Sequence, residues 1–504
     1  MKKTLLLPLF IFLFSGAYAT QLLIPMDESQ TNHLRAYGIT FNVLNRNEKA
    51  QWLLNYRGGS FLFEYNKEDV LNCMDKGVSY EILTEAQSAD LMKEIDNPSN
   101  NMSAVNMERA PKIAVHCSPG VKLWDDPVTL VLRYAGIDFD TIYDEQIMQG
   151  QLKNYDWLHI HHDDFTGQHG RFYSGFSRSQ WYMDAVASSE TTAHQFGFQK
   201  TSLMQLAVAK QIRDFVSTGG FLFAMCSATD TYDIALAADG VDICDKVYDG
   251  DGADANMNSK LKYDNCFAFQ NFQLKTNPFE YEFSNIDTYE TRKTRGINES
   301  NDYFTLEDYS VITHKDLCML TQNHKRTIKG FWGQTTGFDM PFIKPNVAIM
   351  GETKSINEAR YIHGNFEKGS WTFYGGHDPE DYQHQVGENP TDISRYPNSP
   401  GYRLILDNVL FPSTVRKDAQ AAMFKSYPNP VVNQFTLEYS LTNKNTTAVL
   451  YVYDVNGKEE FKQVLSPDVT STTVDVSSLS TGTYLWKIIS GDDVLHTAKF
   501  SVVR

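Results

Sequence analysis

A 504-residue chain that is 42% hydrophobic and 13% aromatic is long enough to bury about two or three cores. Its formal charge of −17 is spread along the chain with no basic stripe, which favours solubility and excludes a nucleic-acid partner. The six cysteines (Cys73, Cys117, Cys226, Cys244, Cys266, Cys318) are too scattered for a disulfide framework and include no CxxC pair, which argues against a structural zinc site. In an oxidising compartment Cys244 with Cys266 is the expected pairing.

At the N-terminus Lys2 and Lys3 precede an apolar run over 5–14, and Ala17, Tyr18 and Ala19 form a small-x-small site. This predicts a signal peptide, 1–19, cleaved after Ala19. The run is too short to span a bilayer, and no later segment reaches the ~20 apolar residues a transmembrane helix needs. The mature chain is therefore expected to pass through the periplasm with no transmembrane segment.

Residues 20–96 read as a small α/β accessory domain with a βαββαβ order, and the polar stretch within 97–109 reads as a linker. Residues 110–415 carry the chemistry. The strand KIAVH ends in a loop at Cys117 to Gly120, and a helix follows with Asp126 as N-cap, Pro127 at its first position and Gly136 at its end. Strand, helix, strand, helix then continue through DWLHIHH and the helix that runs from Ser202 into the buried strand FLFAM. That spacing predicts an α/β fold with a doubly wound, mainly parallel sheet, whose functional groups collect beyond the carboxyl ends of the strands. Aromatic runs over 240–345 read as a β-rich insertion forming a lid or substrate wall, and a linker is expected at 416–424.

Three constellations sit at those strand ends. Cys226 closes FLFAM just before a predicted helix, with the small residues Ala224 and Ala228 on either side, as a nucleophile at a sharp strand-to-helix turn requires. The helix N-terminus favours its thiolate, the Ser227 N–H lies where an oxyanion forms, and the loop at Gly120 offers a second donor. His377 ends the strand SWTFY and its two glycines, with Asp378, Glu380 and Asp381 close by to orient it as a base. The cluster His159, His161, His162, Asp163 and Asp164 makes a divalent metal a candidate cofactor, held by His161, His162 and Asp163 with His377 converging. The acidic run 249–256 has calcium-loop spacing but lacks the downstream glutamate of an EF-hand, so a solvated turn is expected.

The last block, 425–504, opens on Tyr427, Pro428, Asn429 and Pro430 and runs through five alternating strand candidates. Asn456-Gly457 and Gly491-Asp492 supply hairpin turns, and the pattern predicts a separate β-sandwich.

With its YPNP opening, YDVNGK turn, Leu479 followed by Gly482-Thr483-Tyr484, and terminal Lys499-Phe500 strand, this block resembles the type A C-terminal sorting domain of the type IX secretion system. The resemblance implies export across the outer membrane of a Gram-negative bacterium to the surface or medium, with the secretion machinery as partner and an extracellular substrate yet to be identified. The runs FVSTGGFLFAMCSA and GGHDPE resemble the elbow cysteine and downstream His/Glu element of the class I glutamine amidotransferase-like superfamily. Two departures stand out: alanines replace the elbow glycines, and Asp378 intervenes before Glu380. The runs at 22–44 and 155–173 also look like those of secreted proteins often labelled asparagine synthetase B. The chain lacks the mature first-residue cysteine and the SGGxDS-type loop which that label requires. Together these readings predict an exported cysteine hydrolase of amide or ester bonds: Cys226 as nucleophile, His377 as base, Glu380 or Asp378 orienting it, and Ser227 and Gly120 holding the oxyanion. The alternatives are a non-catalytic surface protein binding a glycan or peptide, and a metal-assisted hydrolase.

Overall fold

Five strands near the N-terminus, β1 (Ala19–Ile24), β2 (Ala50–Leu54), β3 (Ser60–Glu64), β4 (Glu81–Thr84) and β5 (Ser103–Met107), pair antiparallel in the order β4-β1-β3-β2-β5. The computed structural model describes residues 19–117, 125–414 except 384 and 386, and 424–504 except 440–447, 456–457, 467–468, 470 and 491–492. They divide into two units at Thr414. The signal peptide (but for Ala19), most of the 416–424 linker, Gly120 and both predicted hairpin turns of the last block lie outside the described residues.

β5 falls inside the stretch expected to be a linker. Its polar composition hides a period-two pattern, with Val105 and Met107 buried and Asn106 exposed, and it pairs with β2 along its length. Nor is the first block separate from the rest. Helix His33–Asn45 packs on helices Pro127–Ala135 and Pro400–Leu410, and one core joins Tyr37 and Trp52 to Phe223, Met225 and Leu406. The approach is close enough that a Cβ on Gly38 would lie 1.8 Å from the Ala135 carbonyl oxygen, so only glycine fits. Tyr37 also donates to the buried Asp407 carboxylate.

The central sheet contains β6 (Ile113–His116), β7 (Asp140–Ile142), β8 (Trp157–Ile160), β9 (Phe221–Met225), β10 (Tyr303–Leu306), β11 (Thr327–Lys329), β12 (Phe338–Asp339), β13 (Ala348–Thr353), β14 (Glu358–Phe366) and β15 (Gly369–Tyr374). Its order is β11-β10-β13-β14-β15-β9-β8-β6-β7, with β12 on β14. Pairing is parallel from β15 through β9, β8 and β6 to β7, and antiparallel elsewhere. The sheet is therefore mixed rather than mainly parallel, because β13 and β14 add an antiparallel hairpin beside β15 and two strands from the 240–345 insertion, β10 and β11, extend it further. β6, β8 and β9 are buried along their lengths, as strands covered on both faces must be. Apolar clusters on the two faces include Val115 and Phe223 on one side, Leu158 and Ala224 on the other.

The insertion is less β-rich than its aromatic pattern suggests. The run expected as a strand around Phe267 is instead capped by a buried carboxylate: Asp233 accepts from the amides of Phe267 (2.7 Å), Ala268 (2.7 Å) and Phe269 (2.9 Å). Those donors are satisfied without a neighbouring strand. The expected disulfide is also absent. Both cysteines are free, Cys244 donating to Thr166 O at 3.4 Å and Cys266 to Asp233 O at 3.3 Å.

The second unit has two sheets. Strands Phe424–Tyr427, Gln434–Tyr439 and Ser471–Asp475 form one, and Ala448–Tyr453, Glu459–Leu465, Gly482–Ser490 and Asp493–Val502 form the other. Phe435, Leu437, Leu450, Trp486 and Phe500 share a single core between them. Among the described residues no helix is long and apolar enough to cross a membrane.

Candidate active site

Cys226 directly follows β9 and takes φ +52°, a left-handed conformation that costs energy for a residue with a Cβ. Helix Ala228–Ala237 begins two residues later. Ala224 and Ala228 are fully buried, so strand and helix close on each other there. The Cys226 amide donates to Gly376 O at 3.1 Å, tying the turn to the loop after β15. The Sγ accepts from the Gln334 amide at 3.2 Å. Loop 332–336 lies over the thiol so closely that a Cβ on Gly333 would meet Sγ at 3.0 Å and the His377 amide nitrogen at 2.7 Å. The residue is 2% exposed.

The imidazoles that act on Cys226 come from the end of β8. His159 and His161 fall on one face of the β8 end, and both reach Asp126, the N-cap of helix Pro127–Ala135. His161 Nδ1 lies 2.8 Å and His159 Nε2 3.1 Å from Asp126 Oδ2, while Asp126 Oδ1 accepts from the Thr129 amide at 2.7 Å as the helix cap. The other nitrogen of His161, Nε2, is buried and makes no hydrogen bond of ordinary geometry; the Cys226 thiol is the group it interacts with electrostatically. Burial alone would push the Cys226 thiol up, but interaction with His161 and His162 pulls it well below its ordinary value. Burial alone would lower His161, but Asp126 and Cys226 hold it up to about 10. Burial opposes ionisation of Asp126 too, yet the two imidazoles keep its carboxyl well below the usual range. These directions favour a thiolate–imidazolium pair anchored by a carboxylate.

His377 joins the group from the other side. Its Nε2 lies 3.1 Å from His162 Nε2, and its ring centroid is 4.5 Å from that of His161. Cys226 and His377, far apart in sequence, are thus brought together. Asp378 and Glu380 face other partners, Asp378 the side chains of Tyr402 and Thr391, Glu380 that of Ser399. Asp163, expected among metal ligands, instead places Oδ1 2.9 Å from His116 Nδ1 and accepts the His161 amide at 3.2 Å. The ligand atoms of His161, His162 and His377 all lie within 4.8 Å of one another, as do those of Asp126, His159 and His161. The acidic run at 249–256 folds around Lys200, whose Nζ lies 3.0 Å from Asp249 and also pairs with Asp242 and Asp251.

Two features escaped the sequence. Asp126 was legible as a cap but not as the carboxylate that orients a base, and the only hint was the His-x-His alternation on a strand beside it. Asp230, one helical turn after Cys226, is pushed up to about 7 by burial, and Thr335 Oγ1 donates to its Oδ1 at 2.9 Å.

Deeper in the same face, fully buried His116 lies between Asp144 (2.9 Å) and Asp163 (2.9 Å), and Gln205 donates to the far Asp144 oxygen at 2.8 Å. Burial would lower this imidazole, but the carboxylates raise it to about 10. A folded-state value above the unfolded 6.5 means that its stabilisation is full below pH 6.5 and is lost as pH rises to about 10. Thermal melts over that window are expected to show falling stability, with a shallower slope in His116→Gln.

The second unit decides where this protein works. The model of the secretion system C-terminal sorting domain matches residues 425–503. The chain is cargo of the type IX secretion system. It is exported to the cell surface or extracellular space, and its sorting domain engages the secretion machinery. No curated protein matches the chain. Among solved structures it is similar to the cytoplasmic protein STM1381 from Salmonella typhimurium LT2, with 11% identity, 60% of this chain and 99% of that one covered, and a TM-score of 0.29. It is also similar to Gan42B, a GH42 beta-galactosidase from G. stearothermophilus, with 11% identity, 73% and 40% covered, and a TM-score of 0.25. A beta-galactosidase from Rahnella sp. R3 matches at 9% identity, with 73% and 42% covered and a TM-score of 0.23. The chain thus spans about two-fifths of these galactosidases. TM-scores this low carry no argument about fold or activity.

Proposed function

We propose that the first unit of this exported cargo is a cysteine hydrolase of amide or ester bonds, with Cys226 as nucleophile, His161 as acid and base, and Asp126 as the residue that orients His161. The observation that carries this reading is the 2.8 Å contact from Asp126 Oδ2 to His161 Nδ1, on an imidazole that interacts electrostatically with a thiol held on a strained strand-to-helix turn. The Cys226 thiolate attacks the substrate carbonyl carbon, forming a C–S bond. The oxyanion collects at the Ser227 amide, where helix Ala228–Ala237 begins. His161 then gives its Nε2 proton to the departing amine or alkoxide as the C–N or C–O bond breaks. Water hydrolyses the thioester with His161 taking its proton, and the thiolate is restored.

The strained turn at Cys226 supports an elbow-type nucleophile, with the Ser227 amide proposed as its oxyanion donor. The proposed base differs from the one expected from sequence: the carboxylate-anchored imidazole is His161, on the strand beside the turn, and His377 is its neighbour through His162. Iodoacetamide alkylation read by mass spectrometry tests the reading. Cys226 is expected to be modified first of the six cysteines at pH 6.5, and failure of that site to react while the protein is folded overturns it.

Metal-assisted hydrolysis is the second reading, favoured by the 3.1 Å approach of His162 Nε2 to His377 Nε2 with His161 nearby. Stoichiometric zinc in the purified protein, together with activity lost to a chelator and regained with zinc, would select it.

A further inference from the structure

Beside His161 and His162, and lined by both, lies a cavity of about 120 Å³. At 10–15 Å³ per water-sized probe this has room for roughly ten non-hydrogen atoms, which suits one extended side chain rather than an oligosaccharide. Phe172, Trp181 and Tyr182 supply its aromatic wall, Phe172 and Trp181 with ring centroids 5.6 Å apart and Trp181 and Tyr182 5.9 Å apart. Trp181 remains 42% exposed, so the wall continues to the cavity mouth. Thr201 also lines it, and its hydroxyl is buried with no hydrogen-bond partner, leaving a polar contact to be made by whatever enters.

Carboxylates outnumber the cations in and behind the wall. His161 is offset by Asp126 and Cys226. Arg171, between the lining residues Gly170 and Phe172, donates to the carbonyl oxygens of Glu280, Lys275 and Asn277. His116 faces Asp144 and Asp163, so that imidazolium is already outnumbered. Asp164 accepts the Thr166 amide (2.7 Å) and hydroxyl (2.5 Å) and the Gly170 amide (2.8 Å), and has no ion pair among the described residues. Burial lowers His169, the other lining histidine near Asp164, which keeps it neutral. Aromatic rings beside uncompensated carboxylates favour a cation and repel an anion.

Resting on the hydrolase reading, we infer that this cavity is the specificity pocket and takes a cationic side chain, so that the substrate is a polypeptide or amide bearing a lysine- or arginine-like group next to the scissile carbonyl. Peptidyl acyloxymethyl ketones carrying lysine, norleucine or glutamate at that position, applied to the full chain, test it. The lysine probe is expected to label Cys226 about tenfold faster than the norleucine probe of equal length, with glutamate slowest. The lysine-to-norleucine ratio should fall towards one in Asp164→Asn and in Trp181→Leu, each checked for folding by thermal melt. Equal rates for lysine and norleucine, or a ratio unmoved in both variants, overturns the pocket assignment while leaving the hydrolase reading intact. A Cys226 inert even to iodoacetamide overturns both.

Discussion

His161→Ala is expected to slow iodoacetamide alkylation of Cys226 at pH 6.5 by roughly two orders of magnitude, since a thiol without a charge partner is only about 1% ionised there. The cause is the balance already described. Burial pushes this thiol up, and interaction with His161 and His162 brings it down. Remove the buried imidazole and desolvation is left opposed by His162, which is exposed, and by the single amide of Gln334. The pH profile supplies the sign. In the parent protein the lowered thiol stays ionised as pH falls through neutrality, so the rate should be nearly flat from pH 6 to 9. In His161→Ala it should climb with pH and approach the parent rate only on the alkaline side. His377→Ala should cost much less, because its Nε2 meets His162 and not the sulfur. A larger loss in His377→Ala than in His161→Ala would return the base to the position first expected from sequence.

That contrast marks where sequence reading stops. The elbow was legible because an apolar strand, a cysteine and two small flanking residues are contiguous, and local sterics alone demand that grouping. The sorting domain was legible for a similar reason, since its strand alternation and motifs lie within about eighty residues. Asp126 was not, because one of its oxygens serves a local function that fully explains an Asp before Pro127. The use of the other oxygen depends on β6 lying next to β8, a tertiary fact. The orienting acids were sought after His377 because they are adjacent in sequence, yet backbone geometry turns Asp378 and Glu380 towards Tyr402, Thr391 and Ser399. The cover over the thiol was equally invisible: nothing about the Gly333 neighbourhood, over a hundred residues from Cys226, signals that its chain must pass within van der Waals reach of a sulfur. Aromatic alternation misled in the insertion because a single buried carboxylate, Asp233, satisfied three consecutive amides that a strand neighbour would otherwise have taken.

Asp126→Asn isolates the catalytic use of that carboxylate from its structural one. Asparagine is as good an N-cap as aspartate, so the bond to the Thr129 amide survives. At the other oxygen an amide now presents donors to two imidazole nitrogens that had shared a negative charge. Breaking a fully buried charge pair from one side costs about 3–5 kcal/mol, so the thermal midpoint should drop visibly. The rate should fall further than stability alone would require. His161 loses the partner that fixes its tautomer, and turnover of p-nitrophenyl acetate is expected to decrease by about 10²–10⁴. His161 should also titrate below its present value of about 10, so the thiolate–imidazolium pair would no longer persist through neutral pH. Activity should therefore recover partly as pH rises and the thiol ionises unaided. Asp126→Ala, which removes the cap as well, should be less stable than the asparagine variant by about 1 kcal/mol but no less active per folded molecule. An asparagine variant that turns over within about threefold of the parent would remove Asp126 from the mechanism and leave His161 oriented by packing alone.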